Sequence, residues 1–146
     1  MKGFIMGLPA DRAESELQQA LTILVVEDEP LTRIAVADHL RSVGYLVIEA
    51  GTADEAVSVL SSRRKIHLIF SDVELPGAMG GFSLAVWIRN HYRSIPVVLT
   101  SGVRSVIPAL DRQHLIPFLP KPYQLHEVAE LVSTVIAASA SRQTQE

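Results

Sequence analysis

The chain has 146 residues, of which 48% are apolar and 20% charged, and its formal net charge is −3 at pH 7. This composition indicates a single ordinary globular domain rather than a disordered or fibrous chain, and the slight acidity gives no general attraction to nucleic acid. Because the chain has no cysteine, a disulfide scaffold and a thiolate zinc site are both excluded.

Residues 1–20 differ in character from the rest of the chain. The apolar stretch Phe4–Leu8 is shorter than the core of about 7 to 15 residues that a signal peptide needs. No stretch approaches the roughly 20 apolar residues that span a bilayer, so we expect a cytoplasmic protein without a membrane partner. Leu17 and Leu21 lie four residues apart, a spacing that fits a short amphipathic helix within an N-terminal extension of residues 1–20.

From Leu21 onward, strand and helix patterns alternate five times. Short apolar runs indicate strands that helices cover on both faces. Pro30 suits the first turn of a helix, and Thr52–Glu55 is a capping-box pattern. The predicted strands are Thr22–Glu27, Tyr45–Glu49, His67–Ser71, Pro96–Leu99 and Pro117–Leu119. The predicted helices are Pro30–Val43, Thr52–Arg63, Phe82–His91, a weaker one at Arg104–Gln113 that contains Pro108, and Tyr123–Ala138.

Five strand–helix units of this size predict an α/β fold. The expected architecture is a three-layer α/β/α sandwich, flavodoxin-like (βα)5, with a parallel sheet in the order 2-1-3-4-5. The domain would span residues 21–138 and be followed by a flexible tail at residues 139–146. The last helix should bury an apolar stripe of helical period, made of Leu125, Val128, Leu131, Val132, Val135 and Ile136.

Polar side chains follow four of the predicted strands at their carboxyl ends: Glu27–Glu29, Asp72, Thr100 and Lys121. In an open parallel sheet these ends converge on one edge, where ligands bind. Carboxylates from the first and third strands would repel each other there, and a hard divalent cation such as Mg²⁺ would relieve the repulsion. Asp72 could then attack phosphorus as a nucleophile, while Lys121 supplies a positive charge and Thr100 a hydroxyl donor. The sequence therefore predicts a phosphate-handling site.

Leu75-Pro76 follow Asp72 in the chain, and Pro122 follows Lys121 directly. Together with these prolines, the order and spacing of the polar residues resemble the receiver domains of bacterial two-component response regulators. The resemblance covers about Leu21 to Ala138. It implies that Asp72 is the phosphoacceptor, and that Mg²⁺ is held by Glu27, Asp28, Asp72 and the backbone carbonyl of Glu74. It also implies that Thr100 and Lys121 contact the phosphoryl group, that Phe118 is the switch aromatic residue, and that the Lys121–Pro122 peptide is cis.

The resemblance further implies which partners to expect. A histidine kinase or a histidine phosphotransfer protein would phosphorylate Asp72, and this would switch a surface that binds a downstream protein. No DNA-binding output domain is expected, so the chain resembles the stand-alone response regulators, as a monomer or a homodimer. Its only expected catalysis is its own phosphorylation and autodephosphorylation, and it would not otherwise be an enzyme.

The loop Leu75–Gly81 has one residue more than the family usually has, and it lacks the usual Asp or Asn before its last glycine. Together with Pro108, this leaves open a receiver-like protein-interaction module that works without phosphorylation. A second alternative is an aspartate-nucleophile phosphatase of the haloacid dehalogenase type, in which Glu74 would occupy the general-acid position. Taken singly, Glu27–Glu29 also fits helix-start acids that complement the helix dipole, and Phe118 fits a core residue.

Overall fold

The computed structural model describes residues 21–103 and 116–145. The predicted N-terminal extension and the predicted helix at Arg104–Gln113 lie outside the described residues. Within the described ranges, none of the helices combines the length and the apolar character needed to cross a membrane.

The described residues form five strands and four helices. The strands are β1 (Thr22–Val26), β2 (Leu46–Ala50), β3 (Leu68–Asp72), β4 (Val97–Ser101) and β5 (Phe118–Pro120). The helices are α1 (Pro30–Ser42), α2 (Ala53–Ser61), α3 (Gly81–His91) and α4 (Leu125–Gln145). All five predicted strands are confirmed, and so are the four predicted helices that fall within the described residues. Most of their ends agree with prediction to within one or two residues.

The C-terminal end of α4 is the exception. The helix continues to Gln145, so the prediction that it ends near Ala138 is wrong, whereas the predicted flexibility of residues 139–146 stays a prediction. Neither Gly nor Pro occurs after Ala138 to stop the helix. The Ser141 hydroxyl donates to the carbonyl of Ala137 at 3.1 Å, so it bonds to the preceding turn instead of competing with helical structure.

The five strands form one parallel sheet in the order β2-β1-β3-β4-β5, and this confirms the predicted flavodoxin-like topology. Alternate residues of β1 point to opposite faces of the sheet. Leu24 and Val26 belong to the core with α2 and α3, whereas Ile23 and Val25 belong to the core with α1 and α4. The predicted stripe of α4 is buried or half-buried in this second core, so the three-layer sandwich is confirmed.

The strand register determines which side chains meet at the carboxyl edge. Val26 pairs with Ser71, so the residues that follow them, Glu27 and Asp72, are neighbours across β1 and β3. Asp72 in turn pairs with Thr100 on β4. The polar residues that are far apart along the chain are therefore brought to one short stretch of the sheet edge.

The predicted capping box at the start of α2 is present in a modified form. Thr52 Oγ1 accepts a hydrogen bond from the backbone N–H of Glu55 at 3.1 Å. In return, Glu55 Oε2 accepts from the N–H of Gly51 at 2.8 Å, one residue earlier than in the standard motif. Side chains thus satisfy two backbone donors at this helix start.

Candidate functional site

The three consecutive acids after β1 have two different functions. Glu29 is the N-cap of α1: its carboxylate accepts from the backbone N–H groups of Leu31 and Thr32 and from the Thr32 hydroxyl. These bonds, led by the one from the Thr32 hydroxyl, lower the pKa of Glu29. The helix-start interpretation is therefore confirmed for Glu29, while the side chains of Glu27 and Asp28 take part in a separate cluster.

Glu27, Asp28 and Asp72 form that cluster, in which each offers one carboxylate oxygen and all three oxygens lie within 4.8 Å of one another. Glu27 and Asp72 are only 4% and 3% exposed, whereas Asp28 is exposed to solvent. Mg²⁺ is bound in proteins by one or two carboxylates together with several waters. A compact group of carboxylates with one solvent-accessible member fits that requirement.

Lys121 supplies the positive charge of the site. Its Nζ lies 2.6 Å from Asp72 Oδ2 and 3.5 Å from Glu27 Oε2, and the backbone N–H of Glu74 donates to Asp72 Oδ1 at 3.0 Å. Burial raises the pKa of Asp72, and its interactions with Glu74 and Lys121 offset only part of this increase. Burial lowers the pKa of Lys121, but the Asp72 and Glu27 carboxylates outweigh it, so the net shift is upward.

Thr100 is fully buried beside Asp72. Among the side chains that the structure describes, its Oγ1 is a buried polar atom without a hydrogen-bond partner. Such an atom is unusual in a protein interior, because an unpaired buried donor is unfavourable by about 1 to 3 kcal/mol. The hydroxyl is therefore available to donate to an acceptor placed on Asp72.

The roles of the remaining predicted site residues, Glu74 and Phe118, stay predictions. The Glu74 carboxylate accepts a hydrogen bond from the Ser101 hydroxyl, and burial raises its pKa; metal binding by its backbone carbonyl stays a prediction. Phe118 is half-buried against the core that includes α2 and α3, and its switch function likewise stays a prediction. The Lys121–Pro122 peptide is cis, as predicted.

The geometry agrees with the comparison to known families. The response regulator receiver domain family matches residues 23–133 of the chain. The chain belongs to this family. This assignment supports the receiver interpretation over the haloacid dehalogenase alternative, because the matched segment contains the whole cluster and Lys121.

Curated relatives of this receiver domain include long and short regulators. The chain is 34% identical over 116 residues to the response regulator protein FleR of Pseudomonas aeruginosa, which covers 78% of the chain and 24% of FleR. It is 33% identical over 120 residues to the two-component response regulator ORR3 of Oryza sativa subsp. indica, covering 78% of the chain and 89% of ORR3. The chain thus spans about a quarter of FleR but most of ORR3.

Solved structures show the same fold. The response regulator TrrA of Thermotoga maritima, crystallised in complex with Mg²⁺-BeF, superimposes on the receiver domain with a TM-score of 0.71 at 26% identity. The match covers 79% of this chain and 98% of TrrA.

The loop between β3 and α3 of the receiver domain folds back tightly onto Asp72. Gly81 donates its N–H to the carbonyl of Val73 at 3.0 Å. A Cβ atom at position 81 would lie 1.8 Å from the carbonyl oxygen of Asp72, so only glycine fits there. Gly77, at φ +98°, takes up the left-handed conformation that glycine adopts at low cost.

Two residues that contact the site were not predicted from the sequence. Ser101 bridges two loops: its Oγ donates to the Glu74 carboxylate and accepts from the N–H of Val103 at 3.0 Å. Its position directly after Thr100 at a strand end was a usable signal. Arg33 on α1 donates from Nη1 to the backbone carbonyl of Glu27 at 2.9 Å. No local pattern marks it.

Proposed function

We propose that this receiver domain is a phosphorylation-dependent switch. Asp72 would accept a phosphoryl group from the phosphohistidine of a histidine kinase or of a histidine phosphotransfer protein. The phosphorylation state would then control a surface that binds a downstream protein. The observation that carries the proposal is the Lys121 ammonium group 2.6 Å from Asp72 Oδ2, beside a cluster of three carboxylates.

In the proposed reaction, a carboxylate oxygen of Asp72 attacks the phosphorus atom of phosphohistidine. A P–O bond forms as the P–N bond breaks, and the electron pair of that bond leaves with the donor imidazole. The product on this chain is an aspartyl phosphate. Lys121 holds the Asp72 carboxylate before transfer and a phosphoryl oxygen afterwards. Positioning and charge stabilisation of this kind account for most of the catalysis of phosphoryl transfer.

Mg²⁺ is the proposed cofactor. Glu27, Asp28 and Asp72 would hold it through their side chains and Glu74 through its backbone carbonyl. When bound, Mg²⁺ would offset the carboxylate charge and bind a phosphoryl oxygen. The donor set supports this assignment, and so does the similarity to TrrA, which was crystallised in complex with Mg²⁺-BeF.

Thr100 and Phe118 would convert phosphorylation into a change of surface. Thr100 pairs with Asp72 on one side and with Leu119 of β5 on the other. Its unpaired hydroxyl would donate to a phosphoryl oxygen, and the resulting shift of β4 would reach the half-buried Phe118 on β5. We propose that the surface around β5 and α4 changes as a result, and that this surface binds the downstream protein.

The proposed catalysis is limited to the chain itself. It would promote its own phosphorylation and the hydrolysis of its own aspartyl phosphate, without turning over other substrates. Its proposed partners are proteins rather than nucleic acid or membranes.

Acid-quenched intact-mass spectrometry tests the proposal. The protein is incubated with acetyl phosphate and Mg²⁺, and the wild type should gain one phosphoryl group. Asp72→Asn should gain none, whereas Asp38→Asn, which removes an exposed carboxylate on α1, should behave like the wild type. EDTA should prevent the reaction. An unchanged mass in the wild type, with acetyl phosphate and with a phosphorylated histidine kinase, would refute the proposal.

Partner binding distinguishes the switch from the phosphorylation-independent module. In pull-down experiments that use this protein as the bait, the switch hypothesis predicts that the phosphorylated and the unphosphorylated bait capture different sets of proteins. The difference should disappear when the bait is Asp72→Asn. Equal capture by wild type, Asp72→Asn and Asp72→Glu in all conditions would favour the independent module.

A further inference from the structure

Arg33 connects three parts of the structure next to the acidic cluster. Its Nη1 donates to the backbone carbonyl of Glu27 at 2.9 Å, and its Nε lies 3.5 Å from Glu49 Oε1 on β2. Its own backbone N–H donates to the carbonyl of Glu29 in the first turn of α1 at 3.0 Å. The Arg33 side chain is only 22% exposed, so the guanidinium is held between α1, β2 and the segment after β1.

The contact with Glu27 acts on the backbone between two members of the carboxylate cluster. The carbonyl of Glu27 and the N–H of Asp28 belong to one planar peptide unit. Fixing the carbonyl therefore restricts rotation of the peptide that joins the two residues. The preceding peptide is also held, because the N–H of Glu27 donates to the carbonyl of Ala50 at 3.0 Å. The directions in which the two side chains leave the backbone are thus constrained.

The guanidinium is itself held in place. Glu49 pairs with Arg33 and also with Arg41, whose Nη2 lies 3.2 Å from Glu49 Oε2. Gly51 leaves the space that the guanidinium occupies, since a Cβ atom at position 51 would lie 3.3 Å from Arg33 Nη1. Arg41 offers a matched comparison, because it shares Glu49 with Arg33 but contacts Asp38, Val47 and Glu49.

We propose that Arg33 is a positioning residue for the Mg²⁺ site: its guanidinium, anchored by Glu49, fixes the Glu27–Asp28 peptide so that both carboxylates are oriented toward the cation. The proposal rests on the Mg²⁺ site of the proposed function. Groups that orient metal ligands in this way commonly change metal affinity by about 10- to 100-fold when removed.

Electrostatics and positioning predict opposite effects of removing Arg33. A positive charge near a cation site opposes binding of the cation, so the loss of charge alone would tighten Mg²⁺ binding. The loss of positioning would weaken it. The sign of the change in Mg²⁺ affinity therefore distinguishes a positioning role of Arg33 from a purely electrostatic one.

Isothermal titration of the unphosphorylated full chain with Mg²⁺, without any phosphodonor, tests the inference. Arg33→Ala should weaken Mg²⁺ binding about tenfold, and Arg41→Ala should stay within about twofold of the wild type. Arg33→Lys keeps the charge but lacks the planar fork that reaches both the carbonyl and Glu49, so its affinity should lie between those of the wild type and Arg33→Ala. Urea unfolding without Mg²⁺ establishes that each variant is folded.

Unchanged or tighter binding by Arg33→Ala would overturn the positioning role while leaving the Mg²⁺ site intact. If Arg33→Ala does not fold, the Mg²⁺ affinity of Arg33→Lys tests the inference instead. An affinity equal to that of the wild type would overturn the positioning role of Arg33. A wild type that binds no Mg²⁺, or binds it as well after Asp28→Asn, would remove the metal site and the inference together.

Discussion

Gly81→Ala is the substitution for which the structure gives the clearest expected cost. The new Cβ would lie 1.8 Å from the carbonyl oxygen of Asp72, 2.7 Å from its carbonyl carbon and 2.8 Å from Cα of Val73. All three are backbone atoms, so no flexible side chain can move aside. To reach an ordinary contact distance, the start of α3 and the end of β3 would have to separate by more than about 1 Å.

That separation has two costs and one small benefit. Overpacking of this kind destabilises by about 1 to 3 kcal/mol. Loss of the hydrogen bond from Gly81 N–H to the carbonyl of Val73 adds about 1 kcal/mol. The higher helix propensity of alanine offsets at most about 1 kcal/mol of this destabilisation. The free energy of unfolding should therefore fall by about 2 kcal/mol, within a range of about 1 to 4 kcal/mol.

Gly80→Ala is the matched control. A Cβ at position 80 would lie 3.6 Å from the carbonyl oxygen of Val73, an ordinary contact, and Gly80 is the N-cap of α3 without a side-chain hydrogen bond. Its cost should be at most about 1 kcal/mol. Urea unfolding can be followed by the fluorescence of Trp87, the single tryptophan of the chain, which lies on α3. A Gly81→Ala protein within about 0.5 kcal/mol of Gly80→Ala would refute the steric argument.

Three further predictions concern charge and capping. Without Mg²⁺ at neutral pH, Asp72→Asn should increase the free energy of unfolding in urea, because burial raises the Asp72 pKa and so disfavours its ionised form; a decrease would mean that the ion pair with Lys121 outweighs burial. Burial lowers the pKa of His67 below 6.5 in the folded protein, so the unfolded chain binds a proton at this residue more readily than the folded one. The free energy of unfolding should therefore be unaffected by His67 above about pH 6.5 and should decline as the pH falls toward the His67 pKa of the folded protein. In His67→Asn, the amide oxygen can still accept from the N–H of Thr22, as His67 Nδ1 does at 2.9 Å. The free energy of unfolding of this variant should decline less steeply than that of the wild type as the pH falls from about 7.5 to about 5.5, and an equal slope would contradict this. Thr52→Ala removes the N-cap bond of α2 and should lower the unfolding free energy by about 1 kcal/mol, whereas a loss below about 0.3 kcal/mol would show that the Glu55 bond to Gly51 is sufficient.

The sheet and the central residues of the site could be predicted because each depends on a signal that repeats along the chain. Asp72, Thr100 and Lys121 each follow a short apolar strand, and parallel strands of one sheet end at the same edge. Their proximity follows from topology, without knowledge of any single contact. The same reasoning predicted that Glu27 and Asp28 would approach Asp72.

What could not be predicted depends on contacts between segments that no local pattern links. Arg33 looks like an ordinary basic residue of a helix, because its partner Glu49 lies on β2, far along the chain, and the carbonyl of Glu27 is a backbone group that no sequence pattern marks. The need for glycine at position 81 arises from its distance to the backbone of Asp72, which only the folded chain defines. The predicted end of α4 near Ala138 is too early because the small and polar residues beyond it continue no apolar stripe, although none of them breaks a helix.

If Asp72 is phosphorylated as proposed, the unsatisfied hydroxyl of Thr100 affects how much the unphosphorylated and phosphorylated states differ in stability. The unmodified form bears an energetic disadvantage of about 1 to 3 kcal/mol, which an acceptor on the neighbouring aspartate would remove. That difference corresponds to a bias of roughly 5- to 150-fold in the ratio of conformations. In the proposed switch, a single oxygen atom on β4 would thus contribute much of the free-energy difference between the unphosphorylated and phosphorylated states.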